Sequence, residues 1–226
     1  MNIDAYLERI GYAGPLEPSA ETLAALQRAH MLTVPFENFD IGRGRQLVLD
    51  REPIFDKVVG RRRGGWCFEL NQLFAALLVE LGFTVTLLGS KVIDPEGGES
   101  EDLVHLIPLV DLDPPLIADV GFGESSLMPI PLDPSGEIRN GGLRVRYTLE
   151  PRRIEDFAHQ SARLQTWPDS HFVKNRICTL ALPDGRITLS DLRLIETRNG
   201  RRTERALSGE AEWARVLRDR FGIVLD

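Results

Sequence analysis

Cys67, His105 and Asp119 are the residues of this chain whose types and settings fit nucleophilic catalysis. Cys67 lies three residues before Leu70, on the face of an apolar stripe formed by Leu70, Leu73, Phe74, Leu77, Leu78 and Leu81, so its thiol points inward. It follows Arg63-Gly64-Gly65 and falls in the first turn of the expected helix. There the unpaired backbone N–H groups and the macrodipole favour an anion, which makes a thiolate available. A single cysteine on an apolar face is ordinarily inert core, so position alone does not decide its role. His105 and Asp119 change that reading. Each sits in an apolar run, Leu103 to Ile107 and Leu116 to Val120, and a buried carboxylate needs a partner. The turn-rich stretch Asp111 to Pro115 makes an antiparallel hairpin of the two runs. Pairing Val110 with Leu116 puts His105 and Asp119 on one face, within side-chain reach, whereas a slip of one residue would separate them. The imidazole would then hold the proton of Cys67, and the carboxylate would orient the ring.

The elements that must position these residues read as α+β. Ile3, Tyr6, Leu7 and Ile10 have helical spacing and stop at Gly11. Ser19 caps a second helix running to about His30. Asp50 caps a third over Glu52 to Val59, ending at Gly60, and the fourth runs from Cys67 to a stop at Gly82. Thr84 to Leu88, Leu103 to Val110, Leu116 to Val120, Leu143 to Leu149, Ile177 to Leu182 and Ile187 to Leu189 read as strands. Leu192 to Thr197 and Thr203 to Leu207 flank the turn Arg198-Asn199-Gly200-Arg201. Ser208 then caps a last helix ending near Phe221. Helices followed by strands and a small mixed end make an α+β order.

Composition narrows the classes further. A net charge of −7 disfavours a nucleic-acid partner, and Arg61-Arg62-Arg63 is only a local basic run. Two cysteines cannot form a disulfide framework, and no spacing suggests a metal site. The stretch Met1 to Tyr12 lacks a signal-peptide core, and no apolar run is long enough to span a membrane. A cytoplasmic protein without a membrane partner is therefore expected. Gly121-Phe122-Gly123 lacks the rest of a dinucleotide fingerprint and does not suggest NAD.

The run Arg63-Gly64-Gly65-Trp66-Cys67-Phe68-Glu69-Leu70-Asn71 resembles the signature around the nucleophile of the arylamine N-acetyltransferase family. Ile10-Gly11-Tyr12, Val34-Pro35-Phe36-Glu37-Asn38, Val104-His105-Leu106, Asp119-Val120-Gly121-Phe122-Gly123 and Pro168-Asp169-Ser170-His171-Phe172 follow in the family's order. The resemblance implies a helical bundle over residues 1–83 carrying the cysteine and a β-barrel over 84–190 carrying the histidine and aspartate. An α/β lid over 191–226 completes it, around a cysteine-protease-like Cys-His-Asp core. It implies ping-pong transfer of an acetyl group from acetyl-CoA, a co-substrate and not a tightly bound cofactor, through Cys67 to an arylamine, hydrazine or arylhydroxylamine. It places Phe36, Val92, Phe122 and Phe172 in an apolar acceptor pocket, and Glu37, Arg63, Glu69 and Asn71 as braces.

The chain also departs from the family pattern. It is short, and the missing strands fall between Tyr147-Thr148-Leu149 and Ile154-Glu155-Asp156-Phe157, which shortens the barrel. Glu101-Asp102-Leu103-Val104 precedes His105 where the family favours a small hydroxylated residue. Leu70 stands for a common Gln, and Lys91 for a common Arg. A related amide synthase acting on a carrier-bound acyl thioester fits the same three residues. So does a papain-like cysteine hydrolase. A non-catalytic binding module would leave the three together without a use.

Overall fold

The protein is described by a computed structural model covering residues 1–94, 96–140 and 143–225. Helix α1 (Ile3–Ile10) starts at Asn2, whose side chain accepts from Ala5 N–H, and ends on left-handed Gly11. Helix α2 (Ala20–Thr33) is capped by Ser19 as expected. Strand β1 (Phe36–Glu37) and helix α3 (Phe39–Gly42) follow, too short to leave a periodic pattern in the sequence. The third expected helix is divided. Helix α4 (Arg51–Phe55) passes into a π-turn, Asp56–Gly60, and Asp50 occupies the cap position without a side-chain capping bond.

Helix α5 (Cys67–Glu80) differs from its expected amphipathic form. Every residue from Cys67 to Leu78 is buried, because the other helices and the sheet surround it. Polar Glu69, Asn71 and Gln72 are therefore inside, and each must find a partner there.

Strands β2 (Val85–Ile93), β3 (His105–Val110), β4 (Leu116–Ile117), β5 (Ile130–Pro131), β6 (Glu137–Asn140) and β7 (Leu143–Tyr147) form one antiparallel sheet. Its order is β5-β4-β3-β2-β7-β6. Among the described residues this sheet is open, with β5 and β6 at its edges, and not closed into the expected barrel. Beyond β7, Arg152 bridges only Leu87 before the 3₁₀ turn Ile154–Phe157 begins.

Helices α6 (Ala158–Thr166) and α7 (His171–Lys174) lead to β8 (Ile177–Leu182) and β9 (Gly185–Ser190). Strands β10 (Arg193–Arg198) and β11 (Arg201–Ala206) and helix α8 (Glu210–Phe221) complete the chain. The second sheet has the order β1-β8-β9-β10-β11, so it joins residues 36–37 to strands near the C-terminus. β9 and β10 pair over six residues each, on either side of residues 191–192.

The main core joins α1, α2 and α5 to one face of the first sheet and contains Cys67 itself. A second core packs α8 and Phe39 on the second sheet, and a third lies on the other face of the first.

Candidate active site

The hairpin register is the one that parity demanded. Val110 pairs with Leu116 and Leu109 with Ile117, and the Ala118 N–H donates to Pro108 O at 2.9 Å. The strand itself ends at Ile117, sooner than expected, yet that last bond carries the register far enough to place Asp119 diagonal to His105. His105 Nε2 lies 2.8 Å from Asp119 Oδ2. The remaining ring nitrogen, Nδ1, is free of Asp119, and the Cys67 thiol lies near enough to the imidazole to influence its charge, both lining one cavity. The Cys67 Sγ also lies 4.0 Å from Val104 O. All three are buried, with exposures of 3%, 1% and 9% for Cys67, His105 and Asp119.

Burial alone would strip the proton from His105. The Asp119 carboxylate and the Cys67 thiol outweigh it and push the imidazole pKa up to about 10. Burial likewise opposes ionisation of Asp119. His105, the Asn71 amide and the Gly121 N–H together hold its carboxyl below the usual range. The Asn71 Nδ2 donates to Asp119 Oδ1 at 2.9 Å and to Leu106 O at 2.6 Å, while its Oδ1 accepts from Val120 N–H at 2.8 Å. Asn71 is thus a clip between α5 and the end of the hairpin.

The loop before Cys67 is held from both sides. The Gly65 O accepts from Glu37 N–H at 2.9 Å, and a Cβ on Gly64 would sit 2.1 Å from Pro35 O. Only glycine permits that approach. Arg63 donates to Glu37 Oε1 at 3.0 and 2.7 Å and to Asp40 Oδ1 at 3.3 Å. Glu69 accepts from Trp66 N–H at 3.1 Å, closing the first turn of α5. Two cations join this frame that the sequence analysis passed over, because a lone Lys or Arg carries no pattern of its own. Lys57 Nζ reaches both Glu69 oxygens, and Arg9 donates to the carbonyls of Val58, Thr33, Arg62 and Arg63.

A cavity of about 510 Å³ opens beside the sulfur. Phe36, Val92, Phe122 and Phe172 line it together with Cys67 and His105, as do Glu124, His171, Thr179 and Thr188, which the sequence did not mark as site residues. Phe122 stands edge-on to the His105 ring at 4.9 Å. A second cleft of similar size lies between α3, α7 and α8 and contains none of the three residues. A thiol beside an imidazole that a carboxylate fixes, at the wall of an apolar cavity, can give up its proton to the ring and carry an acyl group on its sulfur.

Comparison with known proteins agrees in kind. The model of the N-acetyltransferase family matches residues 19–146 and 144–226. The arylamine N-acetyltransferase pineal gland isozyme NAT-10 of Gallus gallus is 32% identical, covering all of this chain and 95% of that protein. Human arylamine N-acetyltransferase 1 is 33% identical with the same coverage. The arylamine N-acetyltransferase of Mycobacterium tuberculosis superposes with a TM-score of 0.90 at 28% identity, covering 99% of this chain and 93% of that one. That of Mycobacterium marinum, solved in complex with CoA, does so at 0.90 and 29%, covering 98% and 93%. The alignment with the Gallus gallus protein runs over 276 positions against 226 residues here, so part of that protein has no counterpart. The two stretches matched by the family model meet on β7, close to where the missing strands were expected.

Proposed function

The chain belongs to the arylamine N-acetyltransferase family and is an acyltransferase, and on that premise we propose that Cys67, His105 and Asp119 form its catalytic triad. In this reading acetyl-CoA is the donor, and an arylamine, arylhydrazine or arylhydroxylamine is the acceptor. The Cys67 thiolate, paired with the charged His105 ring, attacks the thioester carbonyl. The carbon–sulfur bond to CoA breaks, and the departing thiolate takes the proton from His105. Backbone N–H groups at the start of α5, unpaired within the helix, face the oxygen that gains charge. Acylation removes the sulfur's charge, one of the influences that keeps the ring protonated. The ring is then a base for the incoming amine. That proton stays on His105 as the acetyl group leaves on nitrogen, which restores the thiolate and the charged ring.

The observation that carries this reading is the 2.8 Å His105–Asp119 contact beside the thiol at an apolar cavity. Phe36, Val92, Phe122 and Phe172 would hold the acceptor ring, and Glu37, Arg63, Glu69 and Asn71 would brace the nucleophile. Intact mass after mixing with acetyl-CoA tests it. One acetyl adduct is expected on the native protein and none on Cys67→Ala. An adduct that survives in Cys67→Ala would exclude the mechanism.

One observation favours a second reading, an amide synthase using a carrier-bound acyl thioester. The break in the family match falls on β7, whose Val145 pairs with Val92 of the cavity wall. Acyl transfer from an N-acetylcysteamine thioester but not from acetyl-CoA would select it.

A further inference from the structure

Lys57 is a buried cation to which the acyl-transfer reading assigns no task. It stands on the π-turn Asp56–Gly60. Such turns are rare and frequently accompany functional sites. Here the side chain goes inward and is 4% exposed. Its Nζ lies 3.1 and 2.9 Å from the two oxygens of Glu69 and 3.2 Å from Asp40 Oδ2. Glu37 Oε1 is 3.7 Å away. Arg63 serves Glu37 and Asp40, whereas the cation of Glu69 is Lys57.

Glu69 is the third residue of α5, and its Oε2 takes the Trp66 N–H that precedes the nucleophile. Gly65 packs so closely on that carboxylate that a Cβ there would stand 3.0 Å from Oε2. We propose that Lys57 is a positioning residue for acyl transfer. By keeping Glu69 a carboxylate against Trp66 N–H, it fixes the first turn of α5 and the line from the Cys67 sulfur to His105. This inference rests on the role assigned to Cys67 above.

The charge balance gives the reason. Glu37, Asp40 and Glu69 face Lys57 and Arg63, one carboxylate in excess, all of them buried. Without Lys57 the excess doubles in a region that cannot hydrate it. Glu69, which burial already pushes toward its neutral form, then takes up a proton. A neutral carboxyl accepts more weakly from an N–H, so the turn before Cys67 loosens.

The test is the rate at which iodoacetamide alkylates Cys67 in the folded protein at pH 6, read by intact mass without any acyl donor. Lys57→Met and Glu69→Gln are each expected to slow alkylation at least tenfold, the double variant no further than either alone. Lys57→Arg should recover most of the rate. Lys57→Met that melts earlier but is alkylated at the wild-type rate would show a purely structural lysine and overturn the proposal. Slowing in the double variant equal to the product of the two singles would overturn it as well. Should Lys57→Met not fold, Glu69→Gln decides, since unchanged alkylation there removes the link to Cys67. Wild-type protein alkylated at Cys67 yet never acetylated by acetyl-CoA would refute the donor assignment and leave this proposal standing.

Discussion

Two buried histidines in this molecule are pushed in opposite directions, and each leaves its mark on pH dependence. His105 is held charged by Asp119 and Cys67 despite its burial, with a folded pKa of about 10 against an ordinary value of about 6.5. Its contribution to stability is therefore complete below about pH 6.5 and is lost as pH rises from there through about 10. His30 is fully buried beside Tyr6, whose OH lies 2.9 Å from Nδ1. Burial first, and Arg9 second, lower its pKa to about 3. Its contribution is present above about pH 6.5 and is lost as pH falls toward 3. Urea unfolding across pH should accordingly show His105→Gln flattening the alkaline limb and His30→Gln the acid limb. If both variants parallel wild type at all pH values, these environments are misassigned. The two thiols should also differ. Cys178 is fully buried, and burial first, then Glu37, raise its pKa well above the usual value. Iodoacetamide should add one group, on Cys67, to the native protein and two after denaturation. Asn71→Ala would leave Asp119 Oδ1 and Val120 N–H without this partner. A loss of roughly tenfold in kcat/KM and of about 1–3 kcal/mol in stability is expected, read by steady-state kinetics and urea titration.

Between residues and fold stand the short connections that aim the site. The loop over residues 63–66 threads past Pro35 so tightly that no side chain fits at Gly64. Gly64→Ala should lower the urea midpoint by an amount worth about 1–3 kcal/mol or more, and should reduce activity in the remaining folded protein. The Asn199–Gly200 turn gives the contrast. Both residues are left-handed, with φ of 48° and 76°, and they join β10 to β11 without lining the cavity. Gly200→Ala should cost about 1 kcal/mol and leave kcat/KM unchanged.

Across the molecule, the cavity has walls from distant stretches of chain. Phe36 and Cys67 come from the N-terminal elements, Val92 to Glu124 from the first sheet, and Leu164 to Ile195 from the C-terminal third. The second sheet ties these together, since β1 pairs with β8 and β10 with β9. Phe39 packs edge-on to Trp213 of α8 at 5.2 Å. A fragment of residues 1–190 would strip β9 of one of its two partners and uncover Phe39, Ile187 and Leu189. Such a fragment should bind a hydrophobic dye and lose the near-ultraviolet dichroism of packed aromatic residues. A well-folded fragment would mean that residues 191–226 form a detachable lid.

Much of the site was legible in the sequence because its signals are local. Cys67 after two glycines, the apolar period of α5 and the parity linking His105 to Asp119 each depend on spacing within a few residues or one hairpin. The α+β order and the capping of α2 by Ser19 are of the same kind. Tertiary structure alone decided what depends on crossings between distant segments. Among the described residues the first sheet has six strands and stays open, with β5 and β6 at its edges. The π-turn that sends Lys57 inward has no periodic signature, and Arg9 finds its four carbonyls only once α1 lies across that turn. The resemblance named Glu69 and Asn71 as braces, but their partners appear only once α5 is enclosed, when burial requires them to bond. The case for Cys67 could be read from its own neighbourhood. The frame that holds it still is made by charges whose partners lie far away in the chain.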